Sequence, residues 1–436
     1  MPKATEPSLA ELVALARAAA AEAADYQERF AAADTEARKI VDIMERFLRL
    51  KGRVVYGGAA INAHMPADKK FYDPNLYLPD YDFMTPDPLQ DAADLIVAFQ
   101  DEGFTDVEAK FGIHEGTYKI FVNYRSAADI TFMPPDIYER VVRDSETIDG
   151  IHYASVNFLR MNIYLELSRP AGAVDRWEKV YKRLLLLNEA HPVRAGRCAE
   201  DPLEALAVAV SETDGTAVRI RHDRIVEAGI EDGAVFLSGA SRIVAPELPP
   251  AADEPVLMLS AHPDELNAAL AAQGFRPTPY PALGEILPSR TEWRTPRRRL
   301  VAVVFETVAC HSYTTLAEPP GYRLGSLDLL IQMYYAMYFA ELQGYLPVRL
   351  LCLIQQLVEL EANRRRTAVA EGAPAHDVFP LECIGHQPTM PELKKAHRER
   401  VRAKRAELAG ALRIESAVRP RRGKKQRTTQ KRRNGR

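Results

Sequence analysis

The sequence predicts an α+β chain containing two related units, and three observations carry that reading. Periodicity is helical through residues 1–50, then breaks at Val54 into short alternating strands separated by helices. Residues 256–275, VLMLSAHPDELNAALAAQGF, repeat the strand, loop, helix and Gly-Phe ending of residues 81–104, YDFMTPDPLQDAADLIVAFQDEGF. Long helices are expected over residues 324–370. At 436 residues the chain has room for two or three domains with cores of their own.

Taken in order, residues 1–50 are rich in Ala, Glu, Arg and Leu and read as one or two helices, with a break at 31–35. Val54-Val55-Tyr56 is an apolar strand end that runs into Gly57-Gly58, and a helix is expected directly after it. PADKKFYDPNLYLP, with three prolines, is a loop. Residues 81–84 form a short strand, and DPLQDAADLIVAFQDEGF is an amphipathic helix closed near Gly103. GTYKIFVNY (116–124) alternates as a strand, 125–127 make a turn, and 128–133 form a second alternating strand before Pro134-Pro135. Two helices fill 153–188, split at Arg169-Pro170.

Beyond them, AVRIRHDRIVEAG, GAVFLSG and RIVAPELPP are partly strand-like and lead to a proline-rich linker at 248–255. In the second copy RRRLVAVVFETV is matched to GTYKIFVNY. Pro255 to Met258 stand there where the first copy has Asp80 and Asp82, so that copy is expected to be chemically silent.

Hydrophobic content of 47% and 27% charged residues are those of an ordinary soluble globular protein. The start, MPKATEPSLAELV, lacks the basic-then-apolar pattern of a signal peptide. No apolar run reaches the roughly 18 residues of a membrane helix. The longest, around Leu329 to Leu342, is interrupted by Gln332 and Glu341 and reads as a buried helix. Four scattered cysteines without C-x-x-C spacing point to a reducing compartment and away from zinc. The net charge of −3 conceals an asymmetry. Residues 394–436 hold 18 basic and 3 acidic side chains, a net of +15, and the remainder nets −18. An acidic body with a basic end suits a polyanionic partner.

PDYDF places Asp80 and Asp82 two apart on a strand, hence on one face and ~6–7 Å apart. Two such carboxylates repel unless a cation lies between them. Oxygen donors without His or Cys favour Mg²⁺ over zinc. Asp129, on another alternating strand, adds a third carboxylate, and three on adjacent strands suit a metal pair ~4 Å apart for displacement at phosphorus. Gly57 and Gly58 let a backbone approach a triphosphate, with a helix start behind them.

That order, GG, D-x-D, then a later single Asp, resembles the nucleotidyltransferase superfamily of DNA polymerase β. More narrowly, YGGAAIN, PDYDF, HEGTYKIFVN, ADITF and RWEKVYKRL resemble the poly(A) polymerase catalytic subunits of large DNA viruses, the giant-virus and poxvirus group. The likeness runs from Val54 to about Leu187 and continues more weakly through ETVACHSYTTL, GYRLGSLDLL and LECIGHQPT. It implies a nucleotidyltransferase mixed sheet flanked by helices, followed by a second, degenerate nucleotidyltransferase-like domain. It also implies transfer of AMP from ATP to RNA 3′ ends with Mg²⁺ or Mn²⁺. Asp80 and Asp82 match the paired metal ligands, Asp129 the carboxylate that helps activate the 3′-hydroxyl, and Gly57 and Gly58 the triphosphate turn. Two features depart from the superfamily: the loop from Gly58 to Asp80 is long, and Ala59 stands where Ser is common.

The organisation expected on this basis is an N-terminal helical segment (1–50), a catalytic domain (51–190), connecting strands and linker (191–254), a degenerate domain (255–392) and a basic, disordered tail (393–436). Arg176, Lys179 and Arg183 share a helix face. Either Arg176 and Lys179 reach nucleotide or RNA, or the face is solvated and pairs with Glu178 or Glu189. Asn157, near Tyr153 and Arg160, is either a nucleotide contact or a capping or surface residue. Trp177 is expected in the core and His114 and Glu115 in a turn. The tail either tethers RNA, serves as a nuclear-localisation signal, or only solubilises. The expected partners are ATP and an RNA 3′ end, without a membrane, and with room for a homodimer or a processivity subunit. By analogy the place of action is the host cytoplasm or the virion, and the basic tail leaves the nucleus open.

Overall fold

The computed structural model describes residues 8–72, 81–196, 198, 215–238, 243–244, 254–284, 286–307, 309–342 and 345–418. Asp80, part of the connection between the two units and residues 419–436 lie outside these. Two helices open the chain, α1 (Leu9–Ala33) and α2 (Thr35–Lys51). The expected break between them is a cap: the Asp34 carboxylate accepts from the amides of Glu36 at 2.9 Å and Ala37 at 3.4 Å. The apolar face of α2 is buried, with Phe47 6.0 Å from Phe83 of the first sheet.

That sheet contains β1 (Val54–Tyr56), β2 (Tyr81–Thr85), β3 (Val107–Phe111), β4 (Thr117–Val122), β5 (Arg125–Phe132), β6 (Glu146–Ile148) and β7 (Ile151–Tyr153), in the order β3-β4-β5-β2-β1-β7-β6. Helices α3 (Gly57–His64), α4 (Pro88–Asp101), α5 (Pro135–Arg143), α6 (Val156–Leu167) and α7 (Trp177–Ala190) connect and follow the strands. The β4–β5 turn is Asn123-Tyr124, both at positive φ, and not 125–127 as expected. A two-residue turn of that hand matches strand twist, but Tyr124 is an unusual occupant and hides the signal.

A helix α8 (Gly215–Asp232) leads into the second sheet: β8 (Val235–Phe236), β9 (Val256–Ser260), β10 (Arg276–Tyr280), β11 (Arg290–Arg294), β12 (Leu300–Glu306), β13 (His311–Thr315), β14 (Arg323–Gly325) and β15 (Cys383–Ile384). Its order is β10-β11-β12-β9-β8-β14-β13-β15. The first seven positions repeat the first sheet strand for strand, with the same parallel and antiparallel partners. Local devices repeat too. Thr85 and Ser260 each accept from the amide two residues on, at 3.1 and 2.9 Å, before α4 and α9 (Pro263–Ala272). Ser155 caps α6 and Ser326 caps α10 (Leu327–Phe339).

Two readings of this half are corrected. RRRLVAVVFETV supplies β12, the counterpart of β5 rather than of β4, whose place β11 takes. A strand inside the sheet with a parallel neighbour is covered on both faces, which is why LVAVVF is apolar throughout. The strand-like AVRIRHDRIVEAG lies wholly in α8. Its β-branched residues suggested a strand, but burial at His222, Ile225, Val226 and Gly229 follows helical spacing.

The units meet through equivalent helices, α6 against α10, with Phe158 and Phe339 edge to face at 5.2 Å. As expected, α10 is buried almost all round, Met333, Tyr334 and Met337 included. Behind it α11 (Pro347–Glu371) supplies Arg365, buried between Asp328 and Glu361. The cysteines are not free: Cys198 is bonded to Cys352 and Cys310 to Cys383. Pairings over 154 and 73 residues leave no trace in local spacing. The tail reading is also corrected, since α12 (Met390–Val418) is a helix for most of the region where disorder was expected. Its first turn has a reciprocal cap, Thr389 N donating to Glu392 Oε2 at 2.7 Å, and acidic residues interleave the basic ones. Among the described residues no helix is long and apolar enough to cross a membrane.

Candidate active site

Register puts the chemistry in one row across the first sheet. Asp82 of β2 lies beside Asp129 of parallel β5, Asp129 opposite Lys119 of β4, and Asp82 opposite Tyr56 of β1. In-register neighbours share a face. Asp82, Asp129 and Tyr56 accordingly line one cleft of about 630 Å³, large enough for a nucleotide. Lys119 Nζ bonds Asp129 Oδ2, while Asp129 Oδ1 is buried with no hydrogen-bond partner. Tyr56 is held by Thr131, hydroxyl to hydroxyl at 2.9 Å.

Two adjacent carboxylates, one oxygen of which is buried and unsatisfied, are a donor set suited to a hard divalent cation. Among the described residues no group of three His, Cys, Asp or Glu side chains closes such a site. Asp80, the third expected ligand, lies outside them.

Above Asp82 the chain turns at Gly57, with φ +70°, and a Cβ there would sit 2.7 Å from Asp82 Oδ2. Both the backbone hand and the carboxylate therefore demand glycine. At Gly58 a Cβ would lie 3.0 Å from Arg183 Nη2. Helix α3 starts here with no side-chain cap, so its first amide groups are open to an anion at the cleft.

The facing wall is cationic. Arg176, from a 3₁₀ turn (Val174–Arg176), and Lys179 and Arg183 of α7 all line the cleft. Arg183 donates to the Tyr72 hydroxyl at 2.6 Å and lies over the rings of Phe71 and Tyr72. Arg176 pairs with Glu166 of α6 at 3.3 Å, and not with the expected Glu178 or Glu189; Glu189 holds Lys69 instead. Burial pushes the Glu166 carboxyl up, opposed by the charges of Arg176 and Arg183.

Asn157 is placed elsewhere, a correction to the nucleotide-binding expectation. Its Oδ1 accepts from Arg160 Nη1 at 2.8 Å and from the Tyr335 hydroxyl at 3.2 Å, in the α6–α10 seam. Arg160 is buried there too, donating to Asn188 Oδ1 at 2.7 Å. On α6 the cleft-facing residues are Leu159, Asn162, Ile163 and Glu166, a helical stripe that sequence reasoning missed although its spacing was readable. Lys119 was missed because a bulge between Ile120 and Phe121 shifts the hairpin register that sets it against Asp129. His114, expected only in a turn, also lines the cleft. Trp177 is packing, 5.9 Å from Phe379.

Residues 42–173 match the family of poly(A) polymerase catalytic subunits. The matched segment holds Gly57, Gly58, Asp82 and Asp129, while Arg176, Lys179 and Arg183 lie beyond it. A relative from Acanthamoeba polyphaga mimivirus named for the same subunit is 34% identical over 163 residues, 36% of this chain and 27% of the relative. One from African swine fever virus (isolate Tick/Malawi/Lil 20-1/1983) is 24% identical over 164 residues, 36% of this chain and 34% of that protein. The matched segment thus spans about a third or less of either relative. The solved structure of Megavirus polyadenylate synthase shares the fold: TM-score 0.72 at 19% identity, covering 93% of this chain and 86% of that one. Two mixed sheets flanked by helices form an α+β architecture that this structure shares.

In the second sheet the row is apolar. Leu257 and Val303 are register partners at the positions of Asp82 and Asp129, both buried.

Proposed function

We propose that the chain is a template-independent polynucleotide adenylyltransferase that adds AMP from ATP to RNA 3′ ends. The observation that carries it is the row Asp129–Asp82 beneath Gly57, facing the cationic wall. The match over residues 42–173 and the shared architecture support it. Asp82 and Asp129, with Asp80, fit Mg²⁺ or Mn²⁺ by their oxygen donors and the unsatisfied Asp129 Oδ1. Such ions, when bound, neutralise phosphate charge and lower the pKa of the attacking hydroxyl.

The chain's own residues account for the rest. Gly57 and Gly58 admit the triphosphate to the amide groups opening α3. Arg176, Lys179 and Arg183 offset its charge, and Arg183 is pre-positioned by Tyr72. The RNA 3′-hydroxyl gives its proton to Asp129 as its oxygen attacks the α-phosphorus, the bond to the α–β bridging oxygen breaks, and pyrophosphate leaves. Rate enhancement comes mainly from positioning and charge stabilisation.

The test is extension of a labelled RNA with Mg²⁺ and each nucleoside triphosphate separately. A ladder with ATP alone is the expected result. Extension with UTP or CTP instead would keep the chemistry and change the nucleotide, and no extension with any of the four would overturn the reading.

Gly57→Ala is expected to cost ~10²-fold in kcat/KM for ATP, because the added methyl displaces the Asp82 carboxylate. The left-handed strain adds a stability loss of about 1–2 kcal/mol, read from thermal unfolding. Unchanged kinetics would show that the turn does not set the carboxylate.

A further inference from the structure

We propose that α12 carries a basic ridge that leads the RNA strand to the mouth of the cleft, an inference resting on the polyadenylation reading of that cleft. The inward side of α12 is seated on the catalytic unit. Leu393, His397, Arg400 and Lys404, at helical spacing, are half-buried. His397 Nδ1 lies 2.9 Å from the Gly112 carbonyl, and Arg400 Nη2 donates to the Ile113 carbonyl at 2.7 Å. The residues that follow in this β3–β4 turn reach the cleft, which His114 and Thr117 line. The helix is therefore fixed beside the opening.

Its outward side presents Lys394, Lys395, Arg398, Arg402 and Arg405, all exposed. At ~100° per residue they fall in one arc of ~100°, and from Lys394 to Arg405 they run ~16 Å along the axis. Glu392, Glu399 and Glu407 fall outside that arc. Glu392 is engaged with Thr389 and His386, and Glu407 with Lys404. Between Lys394 and Arg405 the arc contains no exposed apolar or aromatic side chain, so a protein partner would find cations there without an apolar centre. A polyanionic strand needs only the cations, because it gains from counterion release. The sequence extends the same charge, with ten basic and no acidic residues in 419–436.

The test is binding of a fluorescein-labelled oligoadenylate to the full chain, titrated over salt, beside R398Q/R402Q/R405Q. Glutamine keeps helix propensity, and far-UV circular dichroism together with ATP affinity confirms the fold. The variant is expected to bind RNA ~30-fold more weakly at about 0.15 M salt, with the slope of log K on log salt shallower by about 2. Unchanged affinity and slope would overturn the ridge and leave it to an acidic protein surface. The two readings fail separately. A wild-type chain that binds RNA through the ridge but neither binds nor transfers ATP removes the cleft assignment alone. Adenylyl transfer with RNA affinity indifferent to the ridge removes the ridge alone.

Discussion

Asp82→Asn and Asp129→Asn are each expected to lower kcat for AMP transfer on the order of 10³-fold or more, with little change in melting temperature. On the proposed chemistry the loss follows from their place in the row, because each removes a charged donor from the pair that would hold a divalent cation. The unchanged stability follows from the same geometry. Adjacent carboxylates repel, so neutralising Asp82 relieves a cost of the unliganded fold. Asp129→Asn loses its ion pair with Lys119, but that lysine is 38% exposed and its pair contributes little. The double variant should be scarcely worse than either single one, because residues acting as a unit are not additive. Single-turnover kinetics with ATP and a short RNA, run beside thermal melts, make the comparison. Substantial transfer by Asp129→Asn would remove this carboxylate from the chemistry.

The second large effect concerns stability. Arg365 sits with Asp328 at 2.6 Å, pairs with Glu361 and lies 3.8 Å from the Phe379 ring centroid and 4.9 Å from that of Tyr181. All three charged groups are buried. Arg365→Met leaves two buried carboxyls without their cation and is expected to cost about 3–5 kcal/mol. In melting temperature that is on the order of 10 °C for a unit of this size. The triple variant R365M/D328N/E361Q should recover much of the loss, since an uncompensated charge is worse than none.

The deficit also depends on pH. Burial already raises Glu361 to about 7 and raises Asp328 as well, with Arg365 opposing both. Without the guanidinium their folded-state pKa values rise further above the unfolded ones. Stability from such acids is present below the unfolded pKa and is lost as pH climbs through the folded one. The Arg365→Met deficit should therefore be larger at pH 8 than at pH 5. A deficit independent of pH would mean that lost ring packing, not charge, dominates. The cluster matters to the cleft because Tyr181 belongs to α7, the helix that carries Lys179 and Arg183.

Strand-borne chemistry was legible in the chain because it obeys a period of two and short-range spacing. Gly57-Gly58 at a strand end, Asp82 on an alternating segment and Asp129 on another stand out in the sequence alone, and register brings Asp82 and Asp129 side by side. The internal repeat was readable for the same reason, since strand, cap and helix recur within twenty residues. The structure extended it to seven strands in matching order.

Other features depend on contacts that no local window contains. Whether Asn157 or Asn162 faced the cleft was settled by which side of α6 packs on α10, a seam between units far apart in sequence. Lys119 reached Asp129 only through a bulged register, and the cysteines paired only through chain closure. The basic end shows the division most clearly. Its charge is written in composition, and so is its suitability for a polyanion. That part of this charge lies on a helix, one side held by two carbonyls beside the cleft and the other turned to solvent, is decided by packing. Charge is a property of residues, whereas direction belongs to the surfaces that bury the opposite face.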